Sequence, residues 1–91
     1  MKSIIIKEEI KLDYNKQTKT IIIYQRDHLE KLMGATSIAS NLRLYNIKKK
    51  KYNQWEIPLK TLQERERVIR ERIDKNIVTM NLLRQVTRQT R

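Results

Sequence analysis

From Ser3 to Tyr14 the apolar residues keep one parity. Ile4, Ile6, Ile10, Leu12 and Tyr14 all fall on even positions, with Glu8 the interruption. Alternation with period two, rich in β-branched residues, predicts a half-buried strand. The stretch "DYNKQTK" then supplies turn residues, and "TIIIY" at 20–24 predicts a returning strand, so residues 3–24 read as a hairpin. Ile5, Ile21 and Ile23 would make its second face apolar as well. A lone hairpin is marginal in water, so helices or a second subunit are expected to cover it.

The pattern then changes period. Asp27 followed by Glu30 reads as a capping box opening a helix, in which each side chain meets an otherwise unpaired amide. Leu29, Leu32 and Met33 form its apolar stripe, and Gly34, the single glycine, ends it in the left-handed conformation. Thr36 or Ser37 caps a second helix running to about Tyr45, with Ile38, Leu42 and Tyr45 inward. Two short helices around one glycine make a helix–turn–helix pattern.

From Ile47 the helical period stops. "IKKKKYNQWEI" reads as a small hairpin with arms near 46–49 and 54–57 and a tip at 50–53. Trp55 and Ile57 share a parity in its second arm, so both would plug into the core while Gln54 and Glu56 face outward. The single proline, Pro58, sets the backbone for a long helix from Leu59. Its apolar series is Leu62, Ile69, Ile73, Ile77, Met80 and Leu83. Written as heptads, Leu62, Ile69, Asn76 and Leu83 fall at d, with Glu66, Ile73, Met80 and Thr87 at a. That seam predicts a homodimer, while Asp74-Lys75-Asn76 offers a place to break the helix in two.

Composition narrows the function. At 91 residues the chain is one small domain: a 3–24 hairpin, a 27–58 helix–turn–helix with its second hairpin, and a 59–91 helical region. Cysteine is absent and histidine occurs once, so neither disulfides nor a His-built metal cluster enters. The longest apolar runs are three isoleucines and no signal-peptide pattern opens the chain, which predicts a cytoplasmic protein without membrane association. No activated nucleophile, carboxylate pair or glycine-rich phosphate loop stands out, so neither an enzyme nor a cofactor is expected.

Charge decides more. Lysine and arginine total 21 against 10 acidic residues, a net +11, which makes the folded chain repel itself and points to a polyanionic partner. The excess is concentrated: residues 41–60 hold Arg43, Lys48, Lys49, Lys50, Lys51 and Lys60 against Glu56 alone. Four consecutive lysines ahead of a Trp-x-Ile-Pro anchor describe a charged probe on an apolar root.

The stretch "NQWEIPLKTL" resembles the wing-to-helix joint of small winged-helix proteins of the excisionase and MerR type, and the resemblance covers about residues 27–70. It implies an α+β fold: a winged helix–turn–helix, here with an extra N-terminal β-hairpin and a long C-terminal helix. The usual Gly-Val-Ser turn of that family reads Gly34-Ala35-Thr36 in this chain. The expected function is sequence-specific binding of double-stranded DNA. Thr36, Ser37, Ser40, Asn41 and Arg43 would face a major groove, where Asn suits adenine and Arg suits guanine. Lys48, Lys49, Lys50, Lys51, Tyr52 and Asn53 would form the wing, and Arg26 and Lys31 would brace the backbone.

The resemblance further implies an accessory factor of a plasmid, phage or conjugative element. Its work would be excision, transfer, segregation or repression, beside a recombinase, relaxase or partition protein. Two rivals stand beside this reading. One is an RNA-binding or ribosome-associated protein, with Trp55 stacked on a base instead of buried. The other is a basic inhibitor that docks on an acidic protein. His28, close to the first helix start, is expected at the surface or in a cap.

Overall fold

The computed structural model describes residues 1–7, 10–34, 45–71 and 77–91. Among them five strands form one sheet: β1 (Lys2–Ile6), β2 (Ile10–Asn15), β3 (Thr20–Ile23), β4 (Lys48–Lys51) and β5 (Gln54–Pro58). Their order is β1-β2-β3-β5-β4, with every neighbouring pair antiparallel. Three helices accompany them: α1 (Arg26–Met33), α2 (Leu59–Glu71) and α3 (Ile77–Gln89). The architecture is α+β.

The N-terminal stretch departs from expectation. The strand predicted over Ser3 to Tyr14 is two strands, which pair Ile4 with Leu12 and Ile6 with Ile10. Each pair joins residues of the same parity, so a chain that doubles back keeps the alternation of a straight strand. Period two therefore does not separate the two cases. Lys7, at φ 51°, begins the reversal, and the interruption at Glu8 falls between the strands.

Register also corrects the second-face expectation. Ile23 lies opposite Leu12 and Trp55, and Ile21 opposite Tyr14 and Ile57, so both belong to the core face. On the other face a row runs Ser3, Asp13, Ile22, Glu56, Lys48 across all five strands. Ile22 alone of that row is a buried apolar residue, at 6% exposure, whereas Ile5 on the same face is 58% exposed.

The pairing of β3 with β5 joins the two hairpins into one sheet, and the core gathers on one of its faces. Ile4, Ile6, Leu12, Ile21, Ile23 and Ile57 meet Leu29 and Leu32 of α1, Leu62 of α2, and Leu83 and Val86 of α3, all nearly fully buried. A sheet this small needs such cover on at least one face.

Helix starts and stops have local causes. The helix α1 begins two residues earlier than the capping box predicts: Gln25 is its N-cap and contributes no side-chain hydrogen bond. Asp27 instead sits inside the first turn, where its charge still favours the helix N-terminus. Gly34 closes α1 as expected, at φ 84° with its N–H donated to the Glu30 carbonyl. At the start of α2, the Leu59 N–H is taken up by the Lys19 carbonyl at 2.9 Å, which ties the helix to the β2–β3 turn.

The C-terminal region is two helices. A single helix over 59–89 would extend about 46 Å, longer than the 34 Å longest dimension of the molecule. Instead α2 and α3 pack on each other. Leu62, Ile69 and Leu83, the described d residues of the predicted seam, are 0%, 6% and 0% exposed within one chain. Glu66, assigned to position a, accepts Arg70 at 4.0 Å and Arg84 at 3.7 Å. The seam is occupied internally, which removes the reason for expecting a homodimer through it. Ile73 and Asn76 lie outside the described residues. No helix among the described residues is long and apolar enough to cross a membrane.

Candidate nucleic-acid interface

Four lysines in succession repel each other and pack poorly, so a sheet holds them most cheaply on an outer strand. That is where β4 lies, with all four exposed. Lys48 faces Glu56, Lys49 faces Trp55, and Lys51 faces Gln54. The register slips between Lys49 and Lys51, so Lys50 is the extra residue of a bulge, a device that twists an edge strand. The tip is the two-residue turn Tyr52-Asn53, with Asn53 at φ 59°, a conformation that Asn tolerates better than most residues.

The arms and tip predicted at 46–49, 54–57 and 50–53 are thereby corrected. The lysines line an arm of the hairpin and do not crown a loop. From Lys48 to Lys51 the row extends about 10 Å at strand rise.

The root of the hairpin is apolar. Trp55 is 5% exposed and Ile57 0%, set against Ile23 and Ile21 of β3. Each arm has a ladder partner and β5 has two, which holds the lysine row to the sheet. With its indole buried, Trp55 is not available to stack on a base. Tyr52, 87% exposed, is the aromatic ring the hairpin does offer, and the Lys49 ammonium sits 6.0 Å from its centroid.

Two populations of positive charge separate. Four helical arginines are partnered: Arg26 with Glu30 at 3.3 Å, Arg67 with Glu64 at 3.9 Å and Glu71 at 3.7 Å, and Arg70 and Arg84 with Glu66. Among the described residues no carboxylate comes within ion-pair distance of the β4 lysines. The sheet edge therefore carries four consecutive positive charges without an ion-pair partner among the described residues.

The other expected contact residues divide. Arg26, at the first position of α1, is exposed but engaged with Glu30. Lys31 is exposed in the last turn of α1, and its carbonyl accepts the Thr79 hydroxyl at 3.5 Å. Thr36, Ser37, Ser40, Asn41 and Arg43 fall in 35–44, outside the described residues.

Both flanks of that segment are described, and one residue holds them. The Arg65 guanidinium on α2 donates through Nη2 to the Met33 carbonyl, and through Nη1 to Tyr45 Oη at 3.1 Å. It also lies 5.3 Å from the centroid of the Tyr45 ring. A methyl group built at Gly34 would sit 2.7 Å from Arg65 Nη2, so the glycine leaves room for the guanidinium as well as turning the chain. Sequence reading passed over Arg65, which stands in "QERERV" like its neighbours. The available signal was its place on the Leu62–Ile69 side of α2, the buried one.

His28 differs from expectation. It is 9% exposed, and its Nδ1 accepts the Lys11 backbone N–H at 3.2 Å. The β2–β3 ladder ends at Leu12 and Ile23, and His28 supplies the acceptor for the next amide along β2. Among the described residues no group of three potential metal ligands gathers. No protein-family model matches the chain, and neither a curated protein nor a solved structure shows significant similarity to it.

Proposed function

We propose that the protein binds double-stranded DNA sequence-specifically as a winged helix–turn–helix, without catalysing a reaction. The observation that carries this reading is the row of four lysines on β4, without a carboxylate partner among the described residues and rooted through Trp55 and Ile57. In this reading the β4–β5 hairpin is the wing. Its lysines meet phosphates, which supply affinity and salt dependence but little sequence information. Base reading falls to the segment after α1, with Asn41 and Arg43 as the bidentate readers, each contributing about 1–3 kcal/mol of discrimination. Arg65 bonds to both flanks of that segment, Met33 and Tyr45.

The resemblance of residues 27–70 to excisionase- and MerR-type proteins supports a role as an architectural or regulatory accessory factor of a mobile element. The burial of Trp55 weighs against the RNA alternative, because it removes the indole from the surface.

Competition binding tests the reading. A duplex selected from a random pool should hold against excess random duplex and against RNA. Asn41→Ala or Arg43→Ala should erase that preference, leaving general affinity nearly intact. Lys50→Ala with Lys51→Ala should weaken every duplex alike and flatten the salt slope by about 0.9 for each phosphate no longer neutralised. RNA outcompeting every duplex would overturn it.

A further inference from the structure

The lysine row of β4 does not end at the sheet's corner. We propose that a second basic limb, on the β2–β3 turn and its surroundings, grips the same duplex beyond β4 and bends it around the sheet. This rests on the DNA-binding reading above.

Register gives the path. Passing from Lys51 to Lys48 along β4 leads toward the end of the sheet where Asn15, Thr20 and Pro58 stand side by side. The β2–β3 turn closes that same end. Asn46, before β4, and Lys60, at the start of α2, line one hollow there. The Leu59 N–H to Lys19 carbonyl bond then sets Lys60 beside the turn.

From Lys19 the limb passes to Lys16, and from Lys16 to a cleft of about 510 Å³ that it shares with Lys2 and Arg91. These five cations are all exposed; among the described residues no acidic side chain lines the cleft, and Glu64 is the one acid lining the hollow beside Lys60. Lys2 donates to the Gln89 carbonyl at 3.2 Å, which fixes it at the cleft wall.

The turn is shaped before any ligand arrives. Asn15 Oδ1 accepts the N–H groups of Gln17 at 3.0 Å and Thr18 at 3.3 Å, and the Thr18 and Thr20 hydroxyls share a hydrogen bond of 2.6 Å. Lysines on a set backbone lose less entropy on meeting phosphates than lysines on a loose one. The hairpin that carries this turn lies outside the stretch resembling winged-helix proteins, so its charges have no counterpart in that comparison.

Geometry then demands a bend. Four strand spacings separate β1 from β4, about 19 Å in all. One limb runs along the strands and the other across their ends. A straight duplex lying on the edge leaves the end face, and curvature toward that face brings in further phosphates that offset the cost of deformation.

The test uses a duplex of about 40 base pairs with a dye at each end, read for salt dependence of binding and for energy transfer. Two exposed changes remove the limb: Lys16→Gln, and Lys19→Asn, chosen because Lys19 sits at φ 56° and Asn tolerates that conformation. An unchanged melting temperature confirms the fold. Wild-type protein should raise energy transfer on binding. The double variant should still bind, lose the rise, and show a salt slope shallower by about 1.8, from two phosphates at about 0.9 each. An unchanged slope in the variant, or a duplex that stays straight with wild-type protein, overturns the second limb while leaving the DNA reading intact. A wild-type protein that holds no duplex overturns the reading of function itself.

Discussion

Replacing Gly34 with alanine should do more damage than a helix C-cap ordinarily allows, and a double-mutant cycle with Arg65 separates the causes. At φ 84° an alanine is strained, which costs about 1 kcal/mol. Its methyl would also stand 2.7 Å from Arg65 Nη2, closer than packed atoms tolerate. A guanidinium is the far end of a flexible side chain and would move away easily if it were idle. It is bonded to the Met33 carbonyl and to Tyr45 Oη, so moving it gives up a charge-assisted hydrogen bond of about 1.5–3 kcal/mol.

Gly34→Ala should therefore cost about 2.5–4 kcal/mol in the wild-type background but about 1 kcal/mol in an Arg65→Ala background. Urea denaturation of the four proteins reads this directly. The expected coupling, about 1.5–3 kcal/mol, exceeds the few tenths by which independent sites depart from additivity. Equal penalties in both backgrounds would refute the claim that glycine and guanidinium share one space.

Trp55→Ala should remove about 3–5 kcal/mol, most of the stability of so small a domain, while Trp55→Phe keeps the fold; a denaturation midpoint near wild type for the alanine variant would show that the indole is not the hairpin's root. The Tyr24 phenol donates to the Asp13 carboxylate, and that bond, with partial burial and the carboxylate's charge, raises its pKa above the ordinary 10.0. A raised folded pKa means the bond stabilises fully below about pH 10 and is lost as pH climbs through the folded value, so the gap between wild type and Tyr24→Phe should be constant at neutral pH and close above about 10. Light scattering of the free protein at tens of micromolar should give a monomer, because Leu62, Ile69 and Leu83 are buried within the chain; a stable dimer there would mean that another surface associates.

Much of the fold was legible because burial leaves a period. The alternation at Ile4 to Tyr14, the α1 stripe ending at Gly34, and the Trp55–Ile57 plug all fall on the buried face that their spacing predicts. What spacing does not carry is the identity of the partner. Parity was blind to the reversal between Ile6 and Ile10, since a fold pairing like with like keeps the pattern whole. The α2–α3 seam reads alike whether the facing helix belongs to the same chain or another. Nor did local pattern announce that Ile21 and Ile23 would share a face with Leu12, because register is a relation between strands. Arg65 and His28 were missed for a related reason: each serves a backbone group 32 or 17 residues away, and such pairings leave no local trace.

The row on β4 admits a second explanation, which charge reversal can separate from the first. An outer strand with bare backbone groups invites pairing with another sheet, and lysines on such a strand prevent it by mutual repulsion. The other outer strand, β1, carries Lys2 alone, so protection and binding coincide on one edge only. Repulsion does not depend on sign, whereas attraction to phosphate does. Lys50→Glu with Lys51→Glu leaves β4 with two cations and two anions, whereas changing all four lysines to glutamate restores a row of like charge. The fully reversed strand should therefore keep the protein soluble and monomeric, with a melting temperature close to wild type, yet bind no duplex at physiological salt. Replacing all four with threonine should instead promote association as well as abolish binding. If the glutamate row still binds duplex with the wild-type salt slope, the lysines guard the edge and do nothing else, and the DNA-binding surface has to be sought on another face.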